Sequence, residues 1–261
     1  MLTEHGLIKD AQSMEVTSER LSLGKSQALQ ENEHLARYRF AAQFVAGKEV
    51  ADIACGTGYG SLILARAGAK SVHGMDLSPE AVEYCNEQKG APNVSFTTAN
   101  AQDLLGIPDS TFDVVVSFET IEHLPSMEAY LDEMSRILRP GGSFLVSTPD
   151  RRIGSVLYWL FRRPQNHFHV RELSERELLK VLSRRFQIEV RFGQAFVPSC
   201  FVVWPVQVAI KIFCRLVQSP RLIKFRDNLY SNGGHVEVIP ANGVSGIPKF
   251  WVILCKKPVK A

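Results

Sequence analysis

No two of the five cysteines form a Cys-x-x-Cys pair: Cys55, Cys85, Cys200, Cys214 and Cys255 are scattered. That spacing argues against a zinc knuckle and a disulfide framework, and fits reduced thiols in a cytoplasm. Met1–Asp10 holds no apolar run, so no secretory leader is expected. The strongly apolar stretch Phe196–Ile210 is shorter than the roughly 20 residues a membrane span needs, and Pro198 and Pro205 interrupt it. Internal repeats and low-complexity tracts are absent. So is a dinucleotide-binding Gly-x-Gly-x-x-Gly turn, because the glycines of the one rich turn fall at 56, 58 and 60 and position 61 is Ser.

Acidic residues are scarce in one region only. Residues 1–150 hold 11 Lys/Arg against 21 Asp/Glu, whereas residues 151–226 hold 15 against 4, so a net charge of +3 hides two halves of opposite sign. The basic segment is a footprint for an anionic partner, or it neutralises the acidic half. With Lys211, Arg215, Arg221, Lys224 and Arg226 following it, the stretch Phe196–Ile210 reads as a lid, a dimer contact or a surface for peripheral membrane contact. No nucleic-acid-binding motif accompanies these charges, which makes nucleic acid an unfavoured partner. The oligomeric state has no signature in the sequence.

What is present is enough for a core: 261 residues, 45% of them apolar. Residues 1–25 read as a polar arm and Ser26–Val45 as a helix. Strand signals at Val50–Ala54, Ser71–Met75, Val94–Thr98, Phe112–Ser117 and Ser143–Ser147 then alternate with helical signals at Ser61–Ala67, Ser78–Gln88 and Met127–Leu138. Ser78-Pro79 is a helix start, and Pro140-Gly141-Gly142 a stop. Ser174-x-x-Glu177 is a capping box for a helix to Arg185. Gln187–Phe192 and Lys249–Cys255 are strands, and 195–248 is an insertion between them. The alternation predicts an α/β fold with a mostly parallel sheet covered by helices on both faces. Four parts are expected: an N-terminal arm and helix (1–48), a Rossmann-like core (49–150), an acceptor-side segment and lid (151–248), and a final core strand and tail (249–261).

Chemistry is expected beyond the carboxyl ends of the strands. At the end of the first strand, Asp52-Ile53-Ala54-Cys55-Gly56-Thr57-Gly58-Tyr59-Gly60 is a turn tight enough to bring main-chain N–H groups to a ligand at a helix start. Asp76 ends the second strand, where a carboxylate can accept from a ribose diol, with Leu77 placed to pack on a base. Asn100-Ala101 ends the third. Phe118-Glu119-Thr120-Ile121-Glu122-His123 follows the fourth. Glu119, Glu122 and His123 have a spacing that permits a divalent ion without requiring one, and the metal-free reading is preferred.

These residues resemble the motifs of the class I S-adenosylmethionine (SAM) dependent methyltransferases. Asp52-x-Ala54-x-Gly56-x-Gly58 is similar to their acidic-x-Gly-x-Gly-x-Gly turn, with Ala54 in place of the first glycine. Glu119-Thr-Ile-Glu122-His123 resembles the Glu-x-Ile-Glu-His segment of the small-molecule branch, and Arg139-Pro140-Gly141-Gly142 its structural turn. The Asp/Asn-Pro-Pro-aromatic motif of DNA base methyltransferases is absent. The resemblance implies SAM as cofactor and a seven-stranded sheet with the last strand antiparallel. It also implies that Arg37, Asp52, Ala54, Gly56, Gly58, Asp76, Leu77, Asn100, Ala101, Phe118 and Glu119 bind the cofactor.

A second resemblance concerns the acceptor. Thr148-Pro149-Asp150-Arg151, Asn166-His167-Phe168-His169-Val170-Arg171-Glu172 and Glu33-His34-Leu35-Ala36-Arg37-Tyr38 are similar to segments of bacterial methyltransferases linked to glycan and lipopolysaccharide assembly. This implies O-methylation of a hydroxyl on a sugar, glycan or glycolipid. Such a hydroxyl needs a base, and His169 and His123 are the candidates, since unperturbed histidine titrates near pH ~6.5. O-methylation of a quinone or other aromatic metabolite is the enzyme alternative. A SAM-binding or interaction module without catalysis is the other.

Overall fold

The computed structural model describes residues 28–88, 90–154, 168–197, 237–242 and 244–259. Helix α1 (Ala28–Ala41) leads through a short 3-10 turn, Ala42–Phe44, into strand β1 (Glu49–Ile53). Then follow α2 (Tyr59–Arg66), β2 (Ser71–Asp76), α3 (Pro79–Glu87), β3 (Val94–Thr98), β4 (Phe112–Phe118), α4 (Met127–Ile137) and β5 (Leu138–Pro149). A four-residue helix α5 (Arg151–Gly154), α6 (Glu175–Leu182), β6 (Gln187–Val197), β7 (Ile239–Pro240) and β8 (Ile247–Lys256) complete the described elements.

The strands make one sheet in the order β3-β2-β1-β4-β5-β8-β6-β7. β1 to β5 pair in parallel, and β8 runs antiparallel to both β5 and β6. Chain order reverses between β1 and β4, so the crevice for a ligand opens above the end of β1. The expected antiparallel last strand is present and lies inside the sheet. The expected count of seven is corrected to eight by β7, a two-residue edge strand on Phe192 and Gly193. A pair of residues ending in proline has no period to read, and its partner is 46 or more positions away.

The apolar run of β4 divides by alternation. Val114 and Val116 face a core with Val50, Val72, Leu145 and Leu254, against α1, α2 and α3. Val115 faces a second core with Ile53, Met75, Phe144 and Ile253, against α4 and α6. Strand residues buried on both faces are what a sheet covered on both sides requires. The helix start expected at Ser78 is held, its Oγ accepting from Ala81 N (3.2 Å), and Ser126 Oγ, which the sequence reading did not single out, accepts from Ala129 N (3.2 Å). The Glu177 carboxylate accepts from the Ser174 N–H (2.9 Å) and hydroxyl (2.6 Å).

Three expected boundaries shift, each through pairing that local sequence does not show. β5 begins at Leu138, five residues early, because Gly141 N donates to Lys257 O and Lys257 N to Gly142 O, drawing the Pro140-Gly141-Gly142 turn into the sheet. β6 continues through Val197 because β8 pairs with it as far as Val197–Ile247, so the insertion begins after 197 instead of at 195. β8 spans Ile247–Lys256, where Lys249–Cys255 was expected.

The excess positive charge after residue 150 is met by acids in much of its described part. Arg184 and Arg185 pair with Glu128, Arg185 also with Asp132, Arg191 with Glu175, and Arg151 with Glu177. Two of these acids lie in the acidic half, which supports the neutralising reading for these arginines. The arm 1–25, Asn166, His167, most of the stretch Phe196–Ile210 and the basic positions 211, 215, 221, 224 and 226 lie outside the described residues. Among the described residues no helix is long and apolar enough to cross a membrane.

Candidate active site

The turn after β1 is left-handed at three positions: Ala54 (φ 59°), Gly56 (φ 56°) and Gly58 (φ 75°). Ala54 therefore holds, with a side chain, a conformation that favours glycine. The two glycines serve different ends. A Cβ on Gly56 would meet nothing within 4 Å, so this residue faces open space. A Cβ on Gly58 would lie 2.8 Å from Cys85 Sγ and 2.9 Å from the Phe96 ring, so this residue turns inward and lets α2 pack on the sheet. Gly60 is needed for a third reason: a Cβ there would come within 2.1 Å of the Tyr38 ring.

Tyr38 reaches past Gly60 to Asp52. Its hydroxyl donates to Asp52 Oδ1 (3.1 Å), and Ser61 Oγ donates to Asp52 Oδ2 (2.6 Å). Asp52 is fully buried. The structure thus places it beneath the turn, as the anchor of α1 and α2. Burial pushes its carboxyl up to about 7, against the pull of the Ser61 and Tyr38 bonds. The folded state then keeps a proton that the unfolded chain, with an ordinary carboxyl near pH ~4, releases. This group's contribution to stability is therefore present at low pH and lost as pH rises from about 4 to about 7. Asp52→Asn keeps the volume and removes the titration. Its unfolding free energy from urea titration should fall less between pH 4.5 and 7.5 than the wild type's, by about 1.4 kcal/mol for each pH unit between the folded and unfolded values.

Asp76 lies beside the open side of the turn. Its Oδ2 accepts from Gly56 N (2.9 Å) and its Oδ1 from Ser78 N (3.0 Å), which fixes the carboxylate at the carboxyl end of β2. Leu77 next to it is 68% exposed, a large apolar side chain left on the surface at the crevice. Asn100 uses its side-chain oxygen in a local turn, accepting from Gln102 N (3.0 Å), and Ala101 packs against the second core. The Phe118 ring is buried edge-on to Tyr38, 5.2 Å between centroids. Glu119, also left-handed (φ 52°), accepts from Ser147 Oγ on β5 (2.9 Å). Backbone strain of this kind collects at functional sites.

Beyond Glu119 the segment 168–173 folds across the end of β4. Val170 N and Arg171 N both donate to Glu122 O (2.9 and 3.1 Å). That brings the His169 ring edge-on to His123, 4.7 Å between centroids. His169 Nδ1 is 3.0 Å from Glu172 Oε1, and His123 Nδ1 is 3.2 Å from Phe168 O. Glu122 is fully buried and accepts from Thr148 Oγ1 (3.0 Å), and burial, then nearby Glu119, holds its carboxyl well above the usual carboxylate range. Glu122, His123 and His169 offer atoms within 4.8 Å of one another, a group that could hold a cation. Glu119 is outside this group, so the trio with sequence spacing is not the one the fold gathers. Hydrogen bonds already account for the orientation of each member.

Arg37 of α1 is fully buried. One guanidinium nitrogen donates to Gln194 Oε1 (2.6 Å) and the group stacks 4.5 Å above the Phe250 ring. Among the described residues Nε and the other terminal nitrogen have no hydrogen-bond partner, and the neighbouring Glu33 carboxylate is taken by Lys249 (2.8 Å). A buried cation without a carboxylate partner suits an anionic ligand. Sequence reasoning missed Ser61, Glu172 and Gln194 as site-building residues. Glu172 stood within a motif but carried no assigned role, and nothing local marks Gln194.

Residues 51–146 match a family described as a methyltransferase domain. A Mycolicibacterium smegmatis protein described as a probable S-adenosylmethionine-dependent methyltransferase is 37% identical over 162 residues, 61% of this chain and 60% of that protein. A fatty-acid O-methyltransferase of the same organism is 36% identical over 125 residues, 45% of each. A ubiquinone biosynthesis O-methyltransferase of Cupriavidus pinatubonensis is 35% identical over 115 residues, 43% of this chain and 46% of that one. The matched region thus spans 45–60% of the length of these relatives. Among solved structures, an S-adenosylmethionine-dependent methyltransferase from Mesorhizobium loti superposes with a TM-score of 0.58 at 16% identity, over 88% of this chain and 100% of that one.

Proposed function

From a chain that belongs to the class I SAM-dependent methyltransferases, we propose an enzyme that methylates a hydroxyl oxygen on a sugar, glycan or glycolipid. The carrying observation is the open face of Gly56 beside a fixed Asp76 carboxylate and an exposed Leu77. A nucleoside fits there, its ribose diol donating to Asp76 and its base lying on Leu77. The two unpartnered nitrogens of Arg37 suit the carboxylate of an amino-acid tail. SAM has all three parts, and when bound it supplies a methyl carbon activated by a sulfonium. NAD lacks the carboxylate.

The chain's own residues then align the acceptor and take its proton. His169 serves as base: as the new C–O bond forms, the hydroxyl proton passes to a ring nitrogen. Glu122, whose carboxyl is held above the usual carboxylate range by burial, lines the floor beside the two histidines. The relatives named as fatty-acid and ubiquinone O-methyltransferases support oxygen as the acceptor atom. The latter also favours a second reading, a quinone or other aromatic hydroxyl.

Calorimetry tests the cofactor. SAM should bind and NAD should not, and Asp76→Ala should weaken SAM by about 1–3 kcal/mol, the cost of hydrogen bonds to a charged acceptor. Binding of NAD without SAM would overturn the reading. Release of S-adenosylhomocysteine across sugar, glycolipid and quinone acceptors separates the two acceptor classes.

A further inference from the structure

We propose that Glu172 is the positioning residue of His169: it fixes the proton on Nδ1 and so leaves Nε2 bare to accept one. The inference rests on the reading of His169 as base and names what makes it a base. A carboxylate only accepts, so the 3.0 Å contact to Glu172 Oε1 is made by an Nδ1–H. The bond is sheltered, with side-chain exposures of 12% for His169 and 5% for Glu172. The segment and the ring are both held: the flanking amides of Val170 and Arg171 are tied to Glu122 O, and the His123 ring packs at 77° to the His169 ring, 4.7 Å between centroids.

His123 is arranged in the same sense. Its Nδ1 faces the carbonyl oxygen of Phe168, which can only accept, so that contact too is made by an Nδ1–H. The two histidines differ in what holds them. A carbonyl fixes a tautomer, whereas a carboxylate also stabilises the imidazolium that forms when Nε2 takes a proton. That difference assigns the base to His169 and leaves His123 as the wall against which it packs. The step balances: the acceptor hydroxyl would lose its proton to His169 Nε2, its oxygen would gain the methyl as the sulfonium S–CH3 bond breaks to leave a neutral sulfide, and the Nδ1 proton would stay between His169 and Glu172.

Nitrogen-15 NMR of the full chain at alkaline pH, with bound S-adenosylhomocysteine, reads the tautomer directly, and His169→Ala identifies the signal. The wild-type ring should show a bare Nε2, and Glu172→Leu should give a mixture of both tautomers. Glu172→Leu should also lower kcat by about 10²-fold on any acceptor that is methylated, with its KM within twofold, and lower it no further in a His169→Ala background. Glu172→Gln, which keeps shape and an acceptor oxygen, should retain part of the rate. A wild-type ring protonated on Nε2 overturns the proposal, and needs no variant to fold. So does an unchanged tautomer in Glu172→Leu, or an equal loss of kcat in both backgrounds. If His169→Ala leaves kcat unchanged while the tautomer depends on Glu172, the base assignment fails and the hold of Glu172 on the ring stands.

Discussion

Gly58→Val should abolish SAM binding by unfolding the turn, whereas Gly56→Val should abolish it in a chain that remains folded. The two residues sit two apart in one motif and share a left-handed backbone, so valine is strained at either. At position 58 the new Cβ also meets Cys85 Sγ and the Phe96 ring under the turn, at 2.8–2.9 Å. Overpacking and left-handed strain together should cost about 3–5 kcal/mol. At position 56 the Cβ meets nothing, so only the strain applies, about 1–3 kcal/mol, and the side chain projects into the space a nucleoside needs. Thermal unfolding and calorimetry on both variants check this. Equal destabilisation by the two would mean that the open face of Gly56 does not exist.

His169→Ala should lower turnover by about 10²–10⁴-fold while SAM affinity stays nearly unchanged, the range for loss of a general base. The reason for the second half is geometric. His169 is held by Glu172, His123 and the Glu122 carbonyl, whereas the nucleoside face is built from Gly56, Asp76 and Leu77. The hydrogen bonds that hold His169 run within its own segment and to Glu122, and those that hold Asp76 run to Gly56 and Ser78. Single-turnover rates at saturating SAM, with SAM affinity measured separately, distinguish loss of chemistry from loss of binding. Turnover that survives intact would move the base to His123 or leave alignment alone to carry the rate.

Much of the frame was legible because it depends on local order. The glycine turn, the alternating strands and helices and the caps at Ser78 and Ser174 are each written in a few adjacent residues, and the structure has all of them. The position of Asp76 at the end of β2, with Leu77 beside it, was legible for the same reason: strand ends can be read.

Residue type alone could not say which way a group faces. Asp52 looked like a ligand-facing acid, yet Tyr38 and Ser61 hold it under the turn. Gly56 and Gly58 looked alike, and only packing against Phe96 separates them. The sequence by itself determined the family's frame, the turn and the strand ends, because period and turn chemistry act over a few residues. Only the tertiary structure decided the polar contacts that make a site: Arg37 to Gln194 across 157 positions, His123 beside His169, and Glu172 behind it. Those pairs are brought together by closure of the sheet through β8 and by the crossing of 168–173 over β4. A hydrogen bond between groups far apart in the chain leaves no period and no spacing in the sequence that forms it.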